Sequence, residues 1–428
     1  MFRHVICALM AWFCLAFAPA QAKDSTIKIG ILHSLTGGMA VSEANLKDTL
    51  LMLIAEQNQK GGLLGHRLEA VVMDPGSNWP RFAQMSREML TKDNVVAIFG
   101  CWTSGARQAV LPVVEELNGL LFYPAPFEGE ESSRNVIYTG SSPNQQALPA
   151  VDYLIYREGI RHWLLLGADY SFPRVTNEII SSYLKSKGYR DEDIQTIYVP
   201  FGFSGWDPII KKIKEFGQGG DAAVISTLSG EAELPFCDGL SKQGVSASEI
   251  PVMSFSLSEE ELMDVYTAPL VGHLATRNYF ESIQSPENQE FIKSWKAFTK
   301  NDYAVTTSAM EATYIAFKLW VKAVETAGTT DVEDLLNIIV GLEVPNLSGG
   351  MARVLPNHLV TKPVYVGAVR EDGQFDILWR SKSEIEGKAY SDYLPQSLHS
   401  DANWTPQINC PLYDSRARRC YQNRVEMR

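Results

Sequence analysis

VVAIFGCWTSGARQAVLPVVEELNGLLFYPAPFEGEE, residues 95–131, holds the pattern from which the fold follows. A β-rich run, VVAIFG, gives way to ARQAVLPVVEEL at helical length and then to a second β-rich run, LLFYP. Strand, helix and strand in that order lay two parallel strands under a crossover helix. The unit repeats outward. Upstream, IKIGILHS reads as a buried strand. After a Thr36-Gly37-Gly38 turn, Leu46, Leu50, Leu51, Leu53 and Ile54 recur at helical spacing until Gly61-Gly62. LEAVVMD is a further strand, and PRFAQMSREMLTKD, led by Pro80, is a helix. Downstream the alternation restarts with NQQALPAVDYLIYREG as helix and HWLLLGAD as strand. FPRVTNEIISSYLKSKG is helical, and IQTIYVPFG, DAAVISTL and PVMSFSL are strands. Two helices, NQEFIKSWKAFTK and Ala309 to Ala327, and a hairpin of PVYVGAVR and FDILWR around Asp372-Gly373 close the pattern.

This is an α/β chain with two lobes, each a mostly parallel sheet flanked by helices. The late helices and hairpin imply that the lobes exchange segments. The expected division is residues 23–143 plus about 274–343 for the first lobe, 144–273 plus about 344–385 for the second, and 386–428 as a C-terminal tail. Residues 1–22, MFRHVICALMAWFCLAFAPAQA, have the basic start, apolar run and small residues of a secretory signal peptide, so an exported, periplasmic protein is expected. No later apolar run reaches membrane-spanning length.

Composition excludes some function classes. The chain has 38 basic and 50 acidic residues and a formal net charge of −12, which argues against a nucleic-acid partner. The seven His show no metal spacing, so neither a metal nor a cofactor is expected. Of the cysteines beyond the signal, Cys410 and Cys420 are expected to pair locally, whereas Cys101 and Cys237 read as buried small hydrophobes. Gly-x-Ser-x-Gly and His-Glu-x-x-His are absent. Cys101 with Glu128 resembles part of a nitrilase-type amidase site, but no Lys completes it, and the chain is not expected to be an enzyme.

The unusual residues gather where strands end, the place where two-lobed α/β proteins hold ligands. Trp102 and Ser104 follow VVAIFG; the serine reads equally as a helix cap or as a hydroxyl for a ligand, with the indole as a stacking wall. Tyr123 and Glu128 sit in a loop stiffened by Pro124 and Pro126. Asp169 and Tyr170 follow HWLLLGA, Gly230 and Glu231 follow DAAVISTL, and Ser258 follows PVMSFSL. The Ser34 to Gly38 turn reads as a strand-to-helix turn that lines the cleft without gripping a ligand.

IKIGILHSLTGGMAVSE, KGGLLGHRLE, FGCWTSGARQAVLPVVE, LLFYPAPFEGEESS, TGSSPNQQ and GADYSFPR together resemble, in order and spacing, the urea- and short-chain-amide-binding proteins among the type I periplasmic binding proteins of ABC importers. The likeness runs from Ile27 to Trp379. It implies lobes that close on a small ligand for delivery to an ABC permease. Ser104 would hydrogen-bond the ligand and Trp102 stack on it. Tyr123 would line the first lobe, Tyr170 would close beside Asp169 from the second, and Glu128 would accept from amide N–H groups. Gly230, Glu231 and Ser258 complete the expected set. The same clamshell also serves a rival role, reporting ligand to a signalling partner without transport. Where urea-binding relatives have Val-Gln-Tyr-Glu-Gly, this chain has Ala125-Pro126-Phe127-Glu128-Gly129, which lacks a Gln amide and a Tyr hydroxyl.

Overall fold

The computed structural model describes residues 26–200, 202–263, 265–397, 412–414 and 419–421. The signal-peptide segment and Cys410 lie outside them, so the expected cleavage and the Cys410–Cys420 pair do as well.

The first sheet has five parallel strands, β1 (Ile27–Leu32), β2 (Leu68–Met73), β3 (Ala97–Gly100), β4 (Leu121–Tyr123) and β5 (Val136–Tyr138), in the order β2-β1-β3-β4-β5. Helices α1 (Ala40–Gln59), α2 (Trp79–Glu88) and α3 (Ser104–Glu116) make its crossovers. β3 and β4 are buried throughout, as expected of strands covered on both faces. Phe99 of β3 stacks on Phe122 of β4 with ring centroids 4.8 Å apart.

The second lobe runs α4 (Ala147–Tyr156), β6 (His162–Ala168), α5 (Ser171–Ser186), β7 (Ile194–Val199), α6 (Asp207–Phe216), β8 (Ala222–Thr227), α7 (Glu233–Gln243), β9 (Val252–Ser254), the short α8 (Glu259–Met263) and β10 (Leu274–Arg277). The chain then returns to the first lobe for α9 (Pro286–Thr299), α10 (Ser308–Ala327) and α11 (Val332–Ile339). A small hairpin, β11 (Glu343–Pro345) with β12 (Met351–Arg353), follows. The late hairpin β13 (Tyr365–Val369) and β14 (Phe375–Arg380) completes a seven-stranded sheet in the order β14-β13-β10-β9-β8-β6-β7. Its two late strands pair antiparallel, while β6 to β10 pair parallel. A short antiparallel pair, β15 (Leu412–Asp414) and β16 (Arg419–Tyr421), lies near the C-terminus.

Strand pairing and packing correct three expected limits. Leu274 to Arg277 pair with β9 and β13, so the crossover follows β10 rather than preceding it. Leu359 bridges Tyr138 at the edge of the first sheet, so the segment after residue 344 stays with the first lobe until about Thr361. Residues 386–397, expected as part of a tail, cross back over the junction: the Ala389 carbonyl accepts from Glu130 N at 2.7 Å, and Tyr393 packs edge-on against Tyr183 of α5.

The crossings are tied to one another. Asn278 Nδ2 donates to the carbonyls of Gln145 (3.0 Å) and Pro363 (2.7 Å), and Gln145 Nε2 donates to those of Val360 and Ile385, both at 2.8 Å. Two buried amides thereby join all four crossing strands and satisfy backbone carbonyls that would otherwise be left unpaired. The carboxyl ends of both sheets face each other across this junction.

Candidate ligand-binding site

Two adjoining chambers occupy the cleft. The first, with an empty volume of about 320 Å3 including its open mouth, is walled by Trp102, Thr103, Ser104 and Pro126 from the first lobe. Tyr170, Phe172, Ser229, Phe255 and Ser256 face them from the second. The other chamber, with an empty volume of about 520 Å3 including its open mouth, shares Trp102, Pro126 and Ser256 and runs toward the crossings, where Gln146, Arg277, Asn278 and Lys362 line it. The wall residues of the first chamber follow the ends of strands, because each parallel strand delivers its next few residues to the same rim.

In the first lobe, Thr103 caps α3 by accepting from Ala106 N at 3.2 Å. The helix cap is therefore Thr103, and Ser104 is released for another task. Its hydroxyl donates to Glu128 and accepts from Arg107 Nη1 at 3.1 Å. Arg107, fully buried, binds Glu131 through Nε at 2.8 Å and Glu128 through Nη2 at 3.4 Å. Its guanidinium also lies 5.0 Å from the Tyr123 ring centroid and 5.1 Å from that of Phe127. Burial by itself pulls Arg107 down, but the charges of Glu131 and Glu128 outweigh it and hold it well above its ordinary value.

This network reassigns two expected contacts. Glu128 is 2 % exposed and turned inward to Arg107, Ser104 and Gln108, so it orients the serine from behind. Tyr123 is fully buried and donates to the Trp102 carbonyl at 2.6 Å, fixing the loop that carries the indole. Phe127 stacks on Tyr138 at 4.8 Å and Ala125 is 1 % exposed. Of the three residues that depart from the urea-binding pattern, only Pro126 reaches the chambers. The backbone here is tightly packed, since a side chain on Gly140 would meet the Ala125 carbonyl oxygen at 1.8 Å.

In the second lobe, Tyr170 lines the first chamber with its hydroxyl 3.0 Å from Ser229 Oγ. Asp169 stands at the exposed rim, paired with Arg174 at 2.5 Å, and lines neither chamber. Gly230 and Glu231 form a contact between lobes: Glu231 N donates to the Gly38 carbonyl at 3.1 Å. Gly230 has φ +63°, and a Cβ there would strike the Met39 methyl at 2.2 Å, so the lobes approach this closely only over glycine. Ser258 lines the other chamber and donates both its N–H (3.0 Å) and its hydroxyl to Glu261. Asn45 of α1 donates across the cleft to Glu260 of α8.

Cys101 has its thiol fully buried and pushed far up, first by burial and then by the charge of Glu43. That is the opposite of an activated nucleophile. No group of His, Cys, Asp and Glu among the described residues fits a metal, and no helix there is long and apolar enough to cross a membrane. The hydroxyls of the Ser34 to Gly38 turn are taken inside the protein: Thr36 Oγ1 donates to Asp74 at 2.8 Å, and Ser34 Oγ accepts from Ser77 N at 2.9 Å.

Sequence reading missed Ser229, Ser256, Gln146, Arg277 and Lys362. Arg277, Ser229 and Ser256 were within reach, because Arg277 closes β10 and the two serines follow β8 and β9 just as Asp169 follows β6; Gln146 and Lys362 depend on how the crossings fold.

The pattern of the periplasmic binding protein domain family matches residues 27–396. The chain belongs to that family of periplasmic binding proteins. A Leu/Ile/Val-binding protein homolog of Brucella melitensis is 22% identical over 377 residues, covering 86% of this chain and 94% of its own. A stretch of 117 residues is 32% identical to part of a limonene hydroxylase of Geobacillus stearothermophilus, but the chain spans only 21% of that protein. Among solved structures, a solute-binding protein of an ABC transporter from Rhodopseudomonas palustris HaA2, in complex with p-hydroxybenzoic acid, superposes with a TM-score of 0.75. It is 21% identical, and the match covers 84% of this chain and 98% of that one.

Proposed function

We propose that the protein captures a small uncharged amide-like solute, urea or a short-chain amide, in the first chamber and delivers it to an ABC permease. The observation that supports this is the character of the wall. Hydroxyls of Thr103, Ser104, Tyr170, Ser229 and Ser256 alternate with the rings of Trp102, Phe172 and Phe255, and no ionised side chain lines the space. A planar amide stacks on the indole and exchanges hydrogen bonds at its edges.

Ser104 has a defined part in this reading. Its one O–H is committed to Glu128 and one lone pair to Arg107, so the lone pair that remains accepts from an amide N–H. Within the Tyr170–Ser229 pair one hydroxyl donates to the other, and the second donates to the carbonyl from the opposite lobe. Closure excludes water and strengthens each of these bonds.

The Leu/Ile/Val-binding homologs and the p-hydroxybenzoate complex concern larger ligands that carry a carboxylate. Calorimetric titration with urea, formamide, acetamide, leucine and p-hydroxybenzoate separates these classes. Saturable heat with urea or a short amide is the expected result. Saturation by leucine or p-hydroxybenzoate with silence from every amide would overturn it.

A further inference from the structure

The second chamber differs from the first in carrying charge. Four ionisable side chains line it: Glu260, Glu261, Arg277 and Lys362. Three of them have partners. Lys362 Nζ lies 2.8 Å from Glu311 Oε2, with both side chains buried. Glu261 accepts twice from Ser258, and Glu260 accepts from Asn45.

Arg277 stands apart. It is 6% exposed, Nη1 donates to the Phe255 carbonyl, and Nε is buried without a hydrogen-bond partner among the described residues. Among the described residues it forms no ion pair within 4.0 Å. Burial pulls the guanidinium below its ordinary value, and the charges of Glu261, Glu259 and Glu233 offset only part of that. Burial has pushed Glu233 and Glu259 themselves up to about 8, which leaves them largely uncharged at neutral pH. A buried guanidinium without a close anion is costly, and an anion brought in by a ligand removes that cost.

We propose that the second chamber is a carboxylate subsite centred on Arg277, so that beyond uncharged amides the cleft takes an amido acid, with a carbamoyl group at one end and a carboxylate at the other. This rests on the amide reading of the first chamber. The chambers share Trp102, Pro126 and Ser256, so one short molecule reaches both. One unpaired cation beside two glutamates suits a monoanion; a dianion such as phosphate would face the repulsion of Glu260 and Glu261.

Succinamate and butyramide test this by calorimetry, because they share the amide and differ by a carboxylate in place of a methyl group. The expected result is a preference of about tenfold or more for succinamate, falling toward unity in Arg277→Gln and partly kept in Arg277→Lys. Equal binding of the two compounds to the wild type, or an unchanged ratio in Arg277→Gln, overturns the subsite and leaves the amide reading standing. Binding of butyrate and p-hydroxybenzoate but of neither amide overturns the amide reading and the amido-acid assignment together, as does silence from all four. If Arg277→Gln lacks a cooperative melt, the wild-type ratio still decides.

Discussion

Two buried arginines stand in opposite lobes, Arg107 behind the cleft wall and Arg277 in it, and their surroundings differ in kind. Arg107 has two carboxylates and two aromatic faces, and its proton is held more tightly than usual. Arg277 has one backbone carbonyl within bonding distance, an idle Nε, and a proton held less tightly than usual. Burial alone therefore does not say whether a charge supports the fold or awaits a ligand. The inventory of its partners does, because a buried ion is stable only when its hydrogen bonds and counter-charge are complete.

The largest expected effect tests the first half of that contrast. Arg107→Met leaves Glu128 and Glu131 buried without their cation, and guanidinium chloride unfolding should show a loss of about 3–5 kcal/mol. A loss under about 1 kcal/mol would mean that the network is not a strut.

The acids around Arg277 predict a pH effect of definite sign. Glu233 and Glu259 are raised from 4.5 to about 8 by burial, so the folded protein keeps protons that the unfolded chain releases. Their contribution is full below about 4.5 and is lost as pH rises through 8. His273, lowered by burial to about 4, and His358, lowered to about 3, act in the opposite sense below 6.5. The carboxyl term is therefore cleanest between pH 6.5 and 8, where the melting temperature should fall, and Glu233→Gln should flatten the slope. A flat profile in the wild type would show these acids to be ionised in the fold.

Within the first chamber, Trp102→Ala should weaken amide binding by on the order of 1–3 kcal/mol through lost stacking, and Tyr170→Phe by about 1 kcal/mol through one lost hydrogen bond. Asp169→Asn should leave affinity unaltered, since that carboxylate stands at the rim. Calorimetry on the three variants reads this ranking, and a reversed order would relocate the ligand. A small effect on stability completes the comparison: Arg277→Met should cost no more than about 1 kcal/mol of unliganded stability, because the charge it removes has no close counter-ion among the described residues.

Much of the architecture was legible because it is written locally. Strand and helix periods lie within runs of ten to twenty residues, so IKIGILHS and HWLLLGAD announced β1 and β6 without any knowledge of their neighbours. Trp102, Ser104 and Tyr170 were legible for the same reason: each follows a recognisable strand, and strand ends in such sheets face a cleft. Glu128 and Tyr123 were correctly singled out as unusual, but their partners, Arg107 and the Trp102 carbonyl, lie about twenty positions away and turned them inward. The departures at Ala125 and Phe127 look decisive in sequence, yet both side chains pack into the first-lobe core.

The sequence by itself determined the two alternating α/β halves and the set of strand ends from which any binding cleft had to be built. Tertiary structure decided which residues at those ends are spent on one another and which are left facing the cavity. The division follows from the range of the forces. Propensity and periodicity act between neighbours along the chain, whereas a buried charge is satisfied or left waiting by groups the fold brings from far away, as Glu311 reaches Lys362 and none of the described residues reaches the Nε of Arg277.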